Sequence, residues 1–266
     1  MHNAKCAAMH LDVWAVKSDW IVSMVQAIKS GTVHANSDRV KGSYDPQINP
    51  YSIVNGVAVI ELEDALMKGW SKYGGTSTLW ARAAIRDADR NKAVKSILLH
   101  IDSPGGTSAG TAELGDDIRN TKKPIHAHID DLGASAAYWC ASQADSISMN
   151  RAGFAGSVGT YAAIRDYSGS AAMEGIKVHV ISTGPYKGLG EPGTEISSAY
   201  LAEWQDIINK HFSHFQQAVQ SGRQMTAANF KRISDGRVFD SRESKAYNLI
   251  DRIESFDKAL MRLTGK

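Results

Sequence analysis

The sequence predicts an α/β protein with a parallel sheet. Three observations carry that expectation: short apolar runs at strand spacing alternate with amphipathic helical stretches from Ile53 onward, glycine- and proline-containing turns punctuate them, and 266 residues with 43% apolar content can bury one full core.

The elements follow in order. Val57-Ala58-Val59-Ile60 reads as a strand, Thr78 to Asp89 as a helix, and Ile97-Leu98-Leu99-His100-Ile101 as a second strand. That order is a βαβ unit, which favours parallel pairing. A helix near Thr111 to Asn120, a strand from Pro124 to Ile129, and a helix from Ser135 to about Ala144 extend it. Ser146 to Met149 and Lys177 to Ser182 read as further strands. Ser198 to Ser221 gives the clearest helical signal, with Leu201, Trp204, Ile207, Ile208, Phe212, Phe215 and Val219 on one face. That face packs on its own sheet or meets another subunit. Leu11 to Ile28 has loosely helical apolar spacing and Ser30 to Pro50 is polar and turn-rich. The expected division is therefore an N-terminal helical extension and linker over residues 1–50 and one catalytic domain over residues 51–266.

Composition narrows the partners. With 30 Lys+Arg against 28 Asp+Glu spread along the chain, there is no basic stripe of the kind that binds nucleic acid. The two cysteines, Cys6 and Cys140, have no paired spacing, so a reduced buried thiol and a cytoplasmic compartment are expected. Charges at Asp12, Lys17, Asp19 and Lys29 interrupt any secretory apolar segment, and no run of about 18 uncharged apolar residues occurs, so no membrane anchor is expected in this chain. No internal repeat is found, and neither a cofactor nor a metal is called for. His126 and His128 share one face of a strand and read as structural rather than as ligands.

Three segments carry possible chemistry. Ser103-Pro104-Gly105-Gly106 ends a strand in a turn whose glycines can expose successive backbone N–H groups as the next helix starts. Such a nest fits an oxyanion, a phosphate or a plain turn. Ser135 lies in Gly133-Ala134-Ser135-Ala136-Ala137, a small-residue turn into a helix, which suits either a nucleophile or an N-cap serine. Lys187 sits in a glycine- and proline-rich loop and reads locally as an exposed lysine or as a base. Acting as a base would require lowering its pKa from about 10.4 to about 7, roughly 4 to 5 kcal/mol. Ser157, in Ala155-Gly156-Ser157-Val158-Gly159, is the candidate donor to the neutral amine. A Ser135-Asp166-His179 set is the weaker option, because the usual elbow would want glycine where Ala137 stands.

Taken together, Ser-Pro-Gly-Gly at 103 to 106, Gly-Ala-Ser at 133 to 135, Gly-Ser-Val-Gly at 156 to 159, Tyr-Lys at 186 to 187 and Asp235-Gly236-Arg237-Val238-Phe239 resemble the signal peptide peptidase A family of serine peptidases, from about Val54 to Ile253. The resemblance implies a ClpP/crotonase-like fold of repeated ββα units with a C-terminal helical segment. It implies Ser135 as nucleophile, Lys187 as general base, Ser157 as the hydroxyl positioning the lysine, and the N–H groups of Gly105, Gly106 and Ser135 as oxyanion donors. It implies a homo-oligomer with sites near subunit interfaces and a protein or apolar peptide substrate. The opening Leu11-Asp12-Val13-Trp14-Ala15-Val16 looks like the phage and prophage branch, which implies cleavage of scaffold or capsid protein, within a prohead in the host cytoplasm. The loop Gly188-Leu189-Gly190-Glu191-Pro192-Gly193 is closer to the cellular peptidases. A soluble cellular peptidase, a crotonase-type acyl-thioester enzyme and a catalytically idle ring scaffold are the competing readings.

Overall fold

The computed structural model describes residues 14–16, 26, 30, 50–70 and 74–265. The central sheet contains β2 (Ser52–Val54), β3 (Val57–Glu63), β6 (Ser96–Ser103), β8 (Ile125–Ala134), β10 (Phe154–Gly156) and β11 (Val238–Asp240). Its order is β11-β10-β8-β6-β3-β2. Neighbours from β3 to β10 run parallel, with β2 and β11 antiparallel at the two edges. Two shorter strands, β9 (Ser146–Met149) and β12 (Arg252–Ile253), continue the sheet beside the first half of β8.

Strands covered on both faces should be almost wholly apolar, and β6 buries every residue except His100 and Asp102. One face, with Ile60, Leu99, Ile101, Ala127 and Ile129, joins the main core, which also holds side chains of α1 (Thr78–Arg90), α2 (Thr111–Arg119) and α3 (Ala136–Ala141). The other face presents Val57, Val59 and Leu98 to Phe256, Leu260 and Leu263 of the C-terminal helix α8 (Phe256–Thr264). This three-layer arrangement is the predicted α/β class.

A second, small sheet stands at the end of the first, in the order β1 (Trp14–Val16), β7 (Gly105–Thr107), β4 (Leu66–Met67), β5 (Thr76–Ser77). It corrects two expectations. Trp14–Val16 is a strand paired antiparallel to β7 rather than part of a helix, because the backbone of β7 offers a ladder that local helical spacing does not reveal. The rest of the expected N-terminal helix lies outside the described residues, apart from one turn in which Ser30 N–H donates to the Gln26 carbonyl. Gly105 and Gly106 likewise belong to a strand, and α2 starts only at Thr111.

Between the sheet and the C-terminal helices comes α4 (Ser168–Met173), then the long α5 (Ser198–Gly222), capped by Ser197, whose hydroxyl accepts from Tyr200 N–H. Helices α6 (Ala227–Lys231) and α7 (Ser241–Ala246) follow, the latter opened by a capping box of Asp240 and Glu243. Lys177 to Ser182 forms no strand. Its alternating pattern has no neighbouring strand to pair with, and Val180 and Ile181 are exposed. The helix expected to reach Ala144 stops at Ala141, where the Ser142 hydroxyl turns back to donate to the Trp139 carbonyl.

Candidate active site

The site lies at the carboxyl ends of β6, β8 and β10, where α/β sheets present their functional residues. Strand β8 is irregular there. Ile101 pairs with Ile129 but Ser103 pairs with Gly133, so β8 advances four residues while β6 advances two. The bulge re-aims the end of β8, which then pairs through Leu132, Gly133 and Ala134 with β10 instead of β9.

Ser135 emerges from that re-aimed end with φ +54° and ψ −118°, outside the regions a side-chain-bearing residue ordinarily adopts. Two backbone bonds hold it there: Ser135 N–H donates to the Gly156 carbonyl at 2.7 Å, and the Ser135 carbonyl accepts from Trp139 N–H at 2.8 Å. Its hydroxyl does not cap α3, is 1% exposed, and has no hydrogen-bond partner among the described residues. A strained residue with an uncommitted buried hydroxyl is unlike an N-cap and like a presented nucleophile. The Ser135 N–H is committed to Gly156, so it is not the oxyanion donor that the resemblance implied. Ala136, as first residue of α3, has an N–H with no partner inside the helix.

Ser157 follows directly on β10, whose Gly156 is in register with Ala134. It too has positive φ (+52°), is buried, and donates its N–H to the Arg237 carbonyl at 2.7 Å. The structure therefore brings Ser135 and Ser157 to the tips of adjacent strands. The glycine strand β7 underlies α3. Gly105 has φ +100° and its N–H donates to the Ser103 hydroxyl at 3.2 Å, while that hydroxyl donates to the Asp64 carbonyl. At Gly106 a Cβ would stand 1.7 Å from the Leu66 carbonyl oxygen, so only glycine lets β7 lie this close to β4.

Lys187 is not brought to Ser135. It is exposed in a turn where its N–H donates to the Gly184 carbonyl at 3.2 Å. From Gly159 to His214 no residue is buried, and the segment carries Met173 at 86% and Ile181 at 98% exposure. The Asp166-His179 alternative is not assembled either: the Asp166 carboxylate accepts from the N–H groups of Ser168 and Ile196, and His179 is exposed.

A groove of about 1020 Å³ opens beside Ser157, with Val158, Tyr161, Ile208 and Phe212 as apolar lining and Asp235 and Arg237 on its polar side. Sequence reasoning found the Asp235-Gly236-Arg237 motif by resemblance but not its place, since only the fold lays residues 234–238 against the middle of α5. His126 and His128 belong to a different place, under α8. His126 contacts the hydroxyls of Ser146 and Ser148 at 2.6 and 2.9 Å, His128 contacts Ser148 at 2.8 Å, and Arg262 reaches His126 at 3.0 Å.

Similar proteins agree with this architecture. A curated protein of Methanocaldococcus jannaschii is 28% identical over 179 residues, covering 66% of this chain and 58% of that one. Protease 4 of Salmonella typhi is 26% identical across 85% of this chain and 37% of its own length. Capsid assembly protease C of Escherichia phage lambda is 29% identical across 66% of this chain and 41% of its own. The chain thus spans between about a third and three-fifths of the length of these relatives. Among solved structures, an enoyl-CoA hydratase/isomerase family member superposes with a TM-score of 0.50 at 15% identity, over 81% of this chain and 74% of that one, which places the fold with the crotonases. The profile of peptidase family S49 matches residues 117–266, more than half of the chain and the stretch that holds Ser135, Ser157 and Lys187, and the protein belongs to that family.

Proposed function

We propose that the protein is a serine endopeptidase in which Ser135 is the nucleophile and Lys187 the general base, acting in an assembly of identical chains. The observation that carries this reading is Ser135 itself: buried, backbone-strained, and with a hydroxyl that serves no structural hydrogen bond. Membership of a peptidase family supports it.

The steps follow from the residues. Ser135 Oγ attacks the peptide carbonyl carbon as neutral Lys187 Nζ removes its proton. The carbonyl oxygen becomes an oxyanion, held by the backbone N–H of Ala136 at the start of α3 and, since the Gly105 N–H is taken by the Ser103 hydroxyl, by that of Gly106. Lys187 then gives the proton to the departing amine, the C–N bond breaks, and an acyl ester on Ser135 remains. A water deprotonated by Lys187 attacks the ester, which releases the carboxylate and restores the serine. Ser157 orients the lysine amine during both halves.

Because Lys187 lies on a segment with no buried residue while Ser135 sits deep in the sheet, we infer that the lysine reaches the serine of a neighbouring copy. The substrate is an extended protein segment with small or aliphatic residues near the scissile bond. The likeness to the phage lambda capsid assembly protease favours a scaffold or capsid protein as that substrate. The test is a fluorophosphonate label located by peptide mapping, with Lys187→Ala as control. Labelling of Ser135 that fades in the lysine variant is expected; a folded, assembled protein left unlabelled at Ser135 would point to the idle scaffold instead.

A further inference from the structure

The short strand β7 has two neighbours, one parallel and one antiparallel. On one side lies β4, pressed against Gly106. On the other lies β1, in the register Trp14 with Thr107, Ala15 with Gly106 and Val16 with Gly105. β1 is terminal in its sheet, and among the described residues only β7 pairs with it. Without β1, the backbone edge of β7 that ends at Gly105 would be unpaired, and an unpaired edge next to a nucleophile is a template for an extended peptide.

We propose that Trp14–Val16 is an internal stand-in for substrate, occupying in the resting chain the edge of β7 with which an extended peptide would otherwise pair. The inference rests on the reading of Ser135 as nucleophile. Its geometry is explicit. β1 runs antiparallel to β7, so its chain travels from Thr107 toward Gly105. Gly105 follows Ser103 by two residues, and Ser103 is in register with Gly133, two residues before Ser135. A peptide in the same register would lay the residues before its scissile bond along β7 and leave the strand next to the serine turn. Backbone pairing supplies the hold irrespective of sequence, and the groove beside Ser157 is left to select side chains. Substrate must first displace β1, so apparent affinity falls by the fraction of chains whose edge is free.

The experiment uses the full chain with Trp14→Pro, Ala15→Pro or Val16→Pro; alternate residues of an antiparallel edge strand turn their N–H to the partner, so at least one of the three removes a bond from the β1 ladder. Two readouts are taken: the rate of fluorophosphonate labelling at Ser135, and the anisotropy of a fluorophore-tagged peptide carrying residues 11–19. At least one proline variant is expected to label on the order of tenfold faster than the parent, the factor a mostly occupied edge would impose. The same variant should bind the tagged peptide while the parent does not, and excess untagged peptide should slow its labelling again. Equal labelling and equal peptide binding in the parent and all three variants would overturn the proposal. So would slower labelling in a folded, assembled variant, since β1 would then be building the site instead of filling it. The anisotropy arm needs no chemistry at Ser135. If no protein is labelled there but the peptide still distinguishes variant from parent, the nucleophile reading fails and the docking edge stands.

Discussion

Ser135 and Lys187, the two members of the proposed dyad, stand in opposite physical settings. The serine is fixed by a bulged strand, two backbone hydrogen bonds and a helix, and it is almost completely buried. The lysine stands on a stretch of more than fifty residues, from Gly159 to His214, in which nothing is buried and large apolar side chains face outward. A folded chain does not leave Ile181, Met173 and Tyr186 exposed together on account of its own core. On the proposed dyad, the difference teaches that folding alone preorganises one half of the site and that the other half would be completed by association.

The sharpest way to break this comparison is to separate the halves. Lys187→Ala and Ser135→Ala should each lower peptide hydrolysis by roughly a thousandfold or more, with melting temperature unchanged for the lysine variant. Mixing the two inactive proteins should restore part of the activity, because one kind of pairing joins an intact serine to an intact lysine. Proven co-assembly with no recovery would place both residues of a working site in one chain.

The second test falls on α5, whose two ends lie on opposite sides of the comparison. Phe215 is fully buried and stacks on Trp139 with ring centroids 5.0 Å apart. Phe215→Ala should cost about 3 to 5 kcal/mol of folding stability in denaturant titration. A loss under about 1 kcal/mol would mean that this end of the helix is not anchored to the sheet.

Acid should act most strongly on the preorganised half. Burial first, and Arg262 next, push His126 down to about 3, and burial with neighbouring His100 pushes His128 down to about 4. Their folded values lie below the ordinary value of 6.5, so protonation favours the unfolded chain. Stability is therefore full above pH 6.5 and declines as pH falls toward 4. At pH 5 the penalty is about 2 kcal/mol for each histidine at most. His126→Gln should flatten the decline in a pH series of melts, whereas an unchanged slope would show that other groups set acid sensitivity.

The comparison also explains what could be read from the sequence. Elements whose pattern is satisfied within the domain were legible: β3, β6, α1 and the first part of β8 emerge from apolar periodicity because both faces of the sheet are covered. Ser135, Ser157, Lys187, Gly105 and Gly106 stand out only through ordered motifs, since each local sequence fits a plainer role. Three things were not legible. The bulge in β8 has no periodic signature, although it decides where Ser135 points. The commitment of the Ser135 N–H to Gly156 depends on which strand ends up next to β8. Lys177 to Ser182 has a strand's alternation but no partner strand, and a one-chain pattern cannot supply one.

The smallest effect on folding should come with a large effect on assembly. Leu201 lies near the start of α5 at 48% exposure, on the same apolar face that becomes buried at Phe215 and Val219. In an isolated chain, Leu201→Ser replaces a solvent-facing side chain and should change stability by no more than about 0.5 kcal/mol. If that face is covered by a second copy, the same substitution places a hydroxyl in an apolar contact and weakens association. Sedimentation velocity should then show dissociation at protein concentrations where the parent stays assembled, and activity should fall with dilution more steeply than in the parent. The melting temperature of the dilute, dissociated protein should hardly move. An unchanged assembly would mean that the first turns of α5 face water in the working protein, and the proposed neighbour would have to grip the segment between Gly159 and Ser197 alone.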